Sequence, residues 1–242
     1  GSTSLAIYKT TNGGLNWISL NNITGIGPIE LYFVNSDTGW LSDVSGAGGL
    51  YKTTNGGVNW TQQLNSSFQP SRLFFINQDT GWSSCNSFKL YKTLNGGSNW
   101  NQIYNFGYTI KDIFFNDKDT GWIVGGSYNG IIRTSNGGNN WDTVNSPPIT
   151  DQPKISIRNN RVGWVGAVFN RILATKDGFN WGYQTTPAFS NYSVQLIDTN
   201  KVWAGTSILI HTTDGGGPIS PVKQISSEVP TGFKLYQNYP NP

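Results

Sequence analysis

The chain has 242 residues, of which only 12% are charged, and its formal net charge is +3. Charged residues make up about 25% of an average soluble domain, so Asn, Ser, Thr and Gly fill the polar role here. This composition favours turns and strands over helices. The scattered charge argues against a nucleic-acid partner. No apolar run reaches the length of about 18 residues that a membrane-spanning helix needs.

Taken in chain order, the first regular feature is the motif Tyr8-Lys-Thr-Thr-Asn-Gly-Gly-Leu-Asn-Trp17. We call it the Thr–Trp motif, because its shared pattern is Thr-x-Asn/Asp-x-Gly-x-x-Trp. Further copies are Tyr51–Trp60, Tyr91–Trp100, Ile132–Trp141, the shortened Ala174–Trp181, and Ile210–Ile219, which lacks the tryptophan. The tryptophans are 43, 40, 41 and 40 residues apart. A constant period in this range predicts a repeat architecture.

A second motif alternates with the first, and we call it the Gly–Trp motif. Its clear copies are Phe33–Trp40, Phe75–Trp82 and Phe115–Trp122, and weaker copies end at Trp164 and Trp203. These tryptophans are 42, 40, 42 and 39 residues apart, so all ten tryptophans of the chain belong to one of the two motifs.

One period, residues 29–64, is predicted to contain four short strands separated by Asn-, Asp- and Gly-rich turns. The predicted strands are Ile29–Val34, Trp40–Val44, Leu50–Thr53 and Asn59–Leu64. Four antiparallel strands per period of about 40 residues are typical of a propeller blade. We therefore predict an all-β chain that forms a β-propeller of five to six repeat units with four-stranded blades. Further blades are expected at 71–104, 110–145 and 153–186.

The first and last units are incomplete. Leu5–Leu20 supplies only a third and a fourth strand, and residues 192–216 supply three strands. Trp17–Leu20 could complete the last blade, which would leave Leu5–Thr10 surplus. A six-unit ring with one half blade also fits, as does a longer native protein cut at its N-terminus, which we favour. Gly1-Ser2 resembles a cloning remnant, so we expect an upstream export segment.

The Thr–Trp motif contains residues that look chemical but that we interpret as structural. The Asn or Asp is expected to accept backbone N–H groups within a turn, and the tryptophan to pack beneath it. Six equivalent copies would imply six equivalent sites, whereas an active site is normally single. The residues are Asn12, Trp17, Asn55, Trp60, Asn95, Trp100, Asn136, Trp141, Asp177, Trp181 and Asp214.

The Thr–Trp motif resembles the Asp-box, also called the BNR repeat. With the Gly–Trp motif in register, the chain is similar over about residues 4–216 to the photosystem II assembly-factor-like propeller family. The resemblance implies a β-propeller with the boxes between the third and fourth strands of each blade. The chain departs from the pattern at Phe179–Trp181, where one residue is missing, and at Ile219, where the tryptophan is lost.

The last part of the chain changes character. We place the propeller at 3–217 and a Pro-rich tail at 218–242, whose final run, Gln237-Asn-Tyr-Pro-Asn-Pro242, resembles the opening of a type IX secretion sorting domain. The resemblance implies export to the outer surface of a Bacteroidetes/Chlorobi-like bacterium, or secretion from it. The alternative is an ordinary linker. An export-type tail argues against a photosystem role, which needs a thylakoid.

Candidate binding residues are aromatic. Segments expected on the loop face are rich in aromatic rings with interleaved asparagines, and this combination suits a sugar or a peptide. Our candidates are Phe88, Phe106, Tyr108, Tyr128 and Phe169. The alternative is that these rings fill gaps between blades.

Enzymatic readings have weaker support. A glycosidase or lyase would need two loop carboxylates, for which Asp43 and Asp151 are candidates. His211 is the only histidine and occupies the position of Lys9, Lys52, Lys92 and Arg133, so we expect it to be exposed. This expected position on an exposed strand argues against histidine triads and typical zinc sites. We expect no metal and no cofactor, and Cys85, the only cysteine, is expected in a strand.

We therefore predict a secreted or cell-surface binding or interaction propeller without catalytic activity, whose ligand is a glycan or a protein. One alternative is a polysaccharide-active glycosidase or lyase. Another is a structural or assembly role without a small ligand. An incomplete terminal blade also offers an open edge at which a second chain could pair.

Overall fold

A computed structural model of the protein describes residues 7–20, 28–43, 49–64, 69–85, 88–125, 130–149, 153–166, 171–186, 193–205 and 209–213. Strands and turns account for these ranges, and none of the described residues forms a membrane-spanning helix. Tyr128, Phe169, Asp151, Asp214 and the tail lie outside them.

The strands are short, and most begin or end within two residues of a motif glycine, threonine or tryptophan. They are β1 (Ile7–Lys9), β2 (Ile18–Leu20), β3 (Pro28–Phe33), β4 (Gly39–Asp43), β5 (Gly49–Thr53), β6 (Thr61–Leu64), β7 (Pro70–Phe75), β8 (Gly81–Cys85), β9 (Lys89–Thr93), β10 (Asn101–Asn105), β11 (Ile110–Phe115), β12 (Gly121–Gly125), β13 (Gly130–Thr134), β14 (Asp142–Thr143), β15 (Ile155–Arg158), β16 (Val162–Gly166), β17 (Arg171–Thr175), β18 (Trp181–Thr185), β19 (Ser193–Leu196), β20 (Val202–Gly205) and β21 (Leu209–Thr212).

Sequence neighbours pair within each sheet. The four-stranded sheets have the orders β3-β4-β5-β6, β7-β8-β9-β10, β11-β12-β13-β14 and β15-β16-β17-β18. In the third of these sheets, Trp122 lies opposite Phe114 on one side and Arg133 on the other, in antiparallel register. The predicted all-β class with four-stranded antiparallel blades is confirmed.

The terminal sheets are smaller, as the motif count predicts. The last sheet comprises β19, β20 and β21. Ile18–Leu20 could have completed that sheet, but it forms β2 and pairs with β1 in a separate two-stranded sheet. The two-stranded sheet therefore corresponds to the third and fourth strands of a blade, and we call it the half blade.

The described residues form two compact units. The first comprises the described residues up to 85 together with 91–101, and the second comprises 88–90 and the described residues from 102 onward. In the first unit, Trp40, Leu50, Leu73 and Phe75 form a core cluster. In the second, Trp122 anchors a core cluster that also contains residues of β15, β16 and β17.

The two kinds of motif tryptophan differ in burial. Four of the five Gly–Trp tryptophans, Trp40, Trp82, Trp122 and Trp164, are at most 1% exposed, and Trp203 is half-buried. Among the Thr–Trp tryptophans, Trp17 is 60% exposed and Trp181 is 5% exposed, and Trp60, Trp100 and Trp141 are half-buried. The Gly–Trp motif therefore supplies most of the aromatic core.

Two single residues were also predicted from their position in the repeat. Cys85 is buried at the end of β8, which confirms that it is a strand residue. His211 is half-buried, and the prediction that it is exposed was wrong. Its ring stacks on Trp203, with centroids 4.6 Å apart and ring planes 18° apart, and this contact covers it.

Candidate functional site

The Asn of each complete Thr–Trp motif holds a turn. Its Oδ1 accepts the backbone N–H four residues on, for example from Asn59 to Asn55 at 2.8 Å and from Asn140 to Asn136 at 2.9 Å. The opening threonine does the same, since Thr53 Oγ1 accepts Gly57 N–H at 2.9 Å. Gly57 has φ +87°, a left-handed conformation that glycine adopts without strain. These side chains therefore hold the backbone of the turn in place.

The shortened motif at Asp177 uses a carboxylate in the same way. Its Oδ1 accepts N–H groups of Phe179 at 2.8 Å and Asn180 at 2.7 Å. Hydrogen bonds from the backbone and side chain of Asn180, and then from the backbone of Phe179, hold the pKa of Asp177 far below its ordinary value of 3.8. The missing residue therefore changes the bonding partners but leaves the turn capped.

Two Gly–Trp tryptophans, Trp40 and Trp122, lie at a contact between blades. Trp40 stacks on Phe75 with centroids 3.5 Å apart, and its Nε1 donates to the carbonyl of Gly96 at 2.9 Å. Trp122 Nε1 donates to the carbonyl of Gly178 at 3.1 Å. In both cases the acceptor lies in a Thr–Trp turn of the following blade. A hydrogen bond therefore joins the two motifs across neighbouring blades.

A cation covers several of these indoles. Lys52 lies 5.1 Å from the ring centroid of Trp40, Lys92 lies 4.9 Å from that of Trp82, and Arg133 lies 5.5 Å from that of Trp122. Burial lowers the pKa of Lys52, and the charge of Asp79 opposes that shift. The recurring Lys or Arg of the third strand is thus a packing residue with a cation–π contact.

Inner-strand carboxylates, which the sequence did not single out, bridge neighbouring blades. Glu30 Oε2 accepts Leu73 N–H at 2.7 Å, and Asp112 Oδ2 accepts Ile155 N–H at 2.9 Å. Both contacts span 43 residues and occupy the same position in their blades. Lys154 Nζ also reaches Asp112 Oδ1 at 3.1 Å. These acids are interblade ties.

Two more acids, Asp117 and the predicted candidate Asp43, also lie in structural positions. Asp117 Oδ1 accepts the N–H groups of Asp119 and Thr120 at 2.8 and 2.7 Å, and its Oδ2 accepts Asn160 Nδ2 at 3.2 Å. Burial favours the neutral acid, but these hydrogen bonds outweigh it and lower the pKa of Asp117. Asp43 is fully buried at the end of β4. No group of three or more metal-ligating side chains occurs within the described ranges.

The predicted aromatic residues partly assemble. We define the aromatic cluster as Phe88, Tyr104, Phe106 and Tyr108. The ring of Phe106 lies 4.6 Å from that of Tyr104 and 5.5 Å from that of Tyr108. Phe88 is 45% exposed, and its carbonyl accepts Phe106 N–H at 3.0 Å.

One ring of the cluster also packs against a motif tryptophan. Phe106 packs edge-on against Trp141, with ring centroids 5.6 Å apart. Its ring therefore fills space between blades and also contacts Tyr104 and Tyr108. Burial, and then the nearby Tyr104, raise the pKa of Tyr108. Asn105 is exposed within the cluster, and its Oδ1 accepts Gly107 N–H at 3.3 Å. Tyr128 and Phe169 lie outside the described residues.

A second concave feature lies beside the half blade, and the sequence did not point to it. This half-blade groove has a volume of about 410 Å³. Its walls come from β1, β3 and the turn of the first complete blade, and include Lys9, Leu31, Phe33, Gly56 and Trp60. Leu31 is 47% exposed and Phe33 is 38% exposed.

No protein-family model matches the chain, and no curated protein matches it. Among solved structures, it is similar to the GH74 enzyme of Niastella koreensis, with 17% identity and TM-score 0.74 over 90% of this chain and 42% of that one. The GH74 xyloglucanase of Xanthomonas campestris is 13% identical with TM-score 0.67, over 86% of this chain and 41% of that one. YCF48 from Cyanidioschyzon merolae is 15% identical with TM-score 0.61, over 87% of this chain and 72% of that one.

At these identities the likeness shows the fold alone. The chain spans less than half the length of either GH74 enzyme. Together with the four-stranded antiparallel sheets, whose strands follow the sequence order, the structural likeness shows that the fold is a blade-based β-propeller. Such folds carry unrelated functions, so the function has to be argued from the site.

Proposed function

We propose that the protein is a non-catalytic binding propeller that holds a glycan chain on the aromatic cluster. The observation that carries the proposal is the contact of three aromatic rings, Tyr104, Phe106 and Tyr108, to which the 45% exposed Phe88 is joined by a backbone hydrogen bond from Phe106. Aromatic faces bind the apolar faces of sugar rings, and an exposed amide such as that of Asn105 supplies hydrogen bonds.

Contacts of the acidic residues favour binding over hydrolysis. A glycosidase needs two carboxyls roughly 5–9.5 Å apart beside the substrate. Glu30, Asp112 and Asp117 accept backbone N–H groups, and Asp43 is fully buried. The glycosidase or lyase alternative would therefore have to use carboxylates that have no such structural contact.

The identity of the turns and the cellular location belong to the same proposal. We propose that the Thr–Trp turns are Asp-box turns, supported by the repeated Thr and Asn bonds to backbone N–H groups.

We also propose that the tail at 218–242 directs the protein to the outer surface or the medium. Fractionation of the source bacterium should find the protein in the outer-membrane or medium fraction. Retention in the cytoplasm would contradict that location.

A glycan array tests the ligand class. The array should include xyloglucan fragments, because a xyloglucanase shares the fold. We expect selective binding that weakens at least about tenfold in Phe88→Ala and Tyr108→Ala, since one lost ring contact costs roughly 1.4 kcal/mol. Phe179→Ala is the matched control, because Phe179 is 50% exposed and lies outside the cluster. Absence of glycan binding by a folded sample would contradict the proposal.

A further inference from the structure

The half-blade groove is an unfilled copy of a space that tryptophan occupies elsewhere in the same unit. The filled copy surrounds Trp40. There the indole stacks on Phe75, its Nε1 donates to the carbonyl of Gly96, and Lys52 lies over its ring. Trp100 meets Phe75 edge-on at 5.8 Å and 85°. A single side chain is thus held by a ring, a carbonyl and a cation.

The groove presents the equivalent groups. Phe33 corresponds to Phe75, since each pairs with the glycine of its own Gly–Trp motif. Trp60 meets Phe33 edge-on at 6.0 Å and 82°, which matches the filled copy. Lys9 Nζ donates to the carbonyl of Gly56 at 3.1 Å. A Cβ atom on Gly56 would clash with Lys9 Nζ, and one on Gly96 would clash with Lys52 Nζ. Both lysines therefore take the same position.

The exposure of Leu31 and Phe33 shows that no strand in the described part of the chain covers the half-blade groove. Leu31 and Phe33 are 47% and 38% exposed, whereas the equivalent Leu73 and Phe75 are 3% and 2% exposed. The side chains are of the same type and stand at the same strand positions. What differs is the tryptophan-bearing strand that lies over the second pair.

The edge of β1 is suited to receive such a strand. In the first complete blade the third strand pairs on both sides, and Trp40 lies opposite Lys52 while Gly39 lies opposite Thr53. Among the described strands, β1 pairs only with β2. A strand added in the same register would place its glycine opposite Thr10 and its tryptophan opposite Lys9. Strand addition of this kind supplies affinity from backbone hydrogen bonds and specificity from side-chain pockets.

We propose that the half-blade groove binds an extended segment of a partner polypeptide, which adds to β1 as an antiparallel strand and inserts a tryptophan between Phe33 and Lys9. The indole N–H then donates to the carbonyl of Gly56. The expected recognition element is Gly-Trp within a strand, since Gly39 lies immediately before Trp40 in the filled copy. This site is separate from the aromatic cluster and does not depend on glycan binding.

The test uses a fluorescein-labelled peptide with the sequence Asp-Thr-Gly-Trp-Leu-Ser-Asp, which is that of residues 37–43. Its fluorescence anisotropy should rise saturably with the concentration of the full chain. A peptide with Ala in place of Trp should bind at least about tenfold more weakly, because it loses the stack and the indole hydrogen bond. This peptide control requires no change to the protein.

Protein variants then locate the site. Phe33→Ala and Lys9→Gln should weaken the peptide, and Phe88→Ala should bind it as the unaltered chain does. Far-ultraviolet circular dichroism checks that each variant is folded. Hydrogen exchange should slow at residues 7–10 when peptide is bound. The proposal is overturned if the Trp and Ala peptides bind equally, or if no peptide binds at about 1 mM. Concentration-dependent dimers that Phe33→Ala abolishes, without peptide binding, would also overturn it in favour of a second copy.

Discussion

The indole N–H of Trp40 donates to the carbonyl of Gly96, 56 residues further along the chain, at 2.9 Å. Trp40 belongs to one repeat motif and Gly96 to the other, so this bond joins a blade to the turn of the next. The bond recurs between Trp122 and Gly178, again 56 residues apart. Its energetic value can be measured.

Trp40→Phe should keep an aromatic ring against Phe75 but lose the hydrogen bond and leave the buried Gly96 carbonyl without this donor. We expect a loss of about 1–3 kcal/mol in the free energy of unfolding. Trp40→Ala should cost about 3–5 kcal/mol, since it also opens a cavity. Urea denaturation measures both. The control is Trp17→Phe at a ring that is 60% exposed, where a cost above about 0.5 kcal/mol would be unexpected.

Asn55 tests the turn chemistry. Asn55→Ala removes the oxygen that accepts Asn59 N–H, so we expect a loss of about 1 kcal/mol in thermal or urea unfolding. Asn55→Asp keeps an acceptor, as Asp177 does in its own motif, and should stay within about 0.5 kcal/mol of the unaltered protein. Equal losses in the two variants would contradict a role for the side-chain oxygen.

Asp112 tests the interblade tie. Asp112→Ala should cost about 1–3 kcal/mol, because the buried Ile155 N–H loses its acceptor. Lys154→Met removes the partly exposed ion pair and should cost about 1 kcal/mol or less. Asp112→Asn should fall between the two. If Lys154→Met were as costly as Asp112→Ala, the ion pair rather than the backbone bond would hold the blades.

Lowering the pH should reduce the contribution of Asp177 to the stability of the folded protein. Its folded-state pKa lies below the ordinary 3.8, so the folded protein favours the charged form more than the unfolded chain does. The resulting stability is present above that ordinary value and is lost as pH falls towards the folded-state pKa. Asp177→Asn lacks this contribution. We therefore expect its stability deficit against the unaltered protein, measured by urea denaturation, to shrink as pH falls below 3.8. A deficit that is independent of pH would contradict the assignment.

The repeat made the fold predictable from sequence, because strand alternation and turn residues are local signals. The strand predicted at Ile29–Val34 is observed at Pro28–Phe33, and the one predicted at Trp40–Val44 is observed at Gly39–Asp43. The fourth strand begins at Thr61 and not at Asn59 as predicted, because Asn55 Oδ1 accepts Asn59 N–H and holds that residue in the turn.

Contacts between repeats were not predictable in the same way. Glu30 and Leu73 are 43 residues apart, and no local pattern links a carboxylate to a backbone N–H at that distance. The charge at the His211 position suggested exposure, but the ring of Trp203 covers it. The sequence could nominate Phe88, Phe106 and Tyr108 by composition, yet it could not show that Phe106 also packs on Trp141.

The central claim is that the aromatic cluster binds a glycan without cleaving it. The most direct measurement is isothermal titration of the best array ligand into the unaltered protein and into Phe88→Ala, with the ligand recovered afterwards and analysed by mass spectrometry. We predict saturable binding to the unaltered protein, at least about tenfold weaker binding to the variant, and recovery of intact ligand. Cleaved ligand in excess over protein, or equal binding by the two proteins, would contradict the claim.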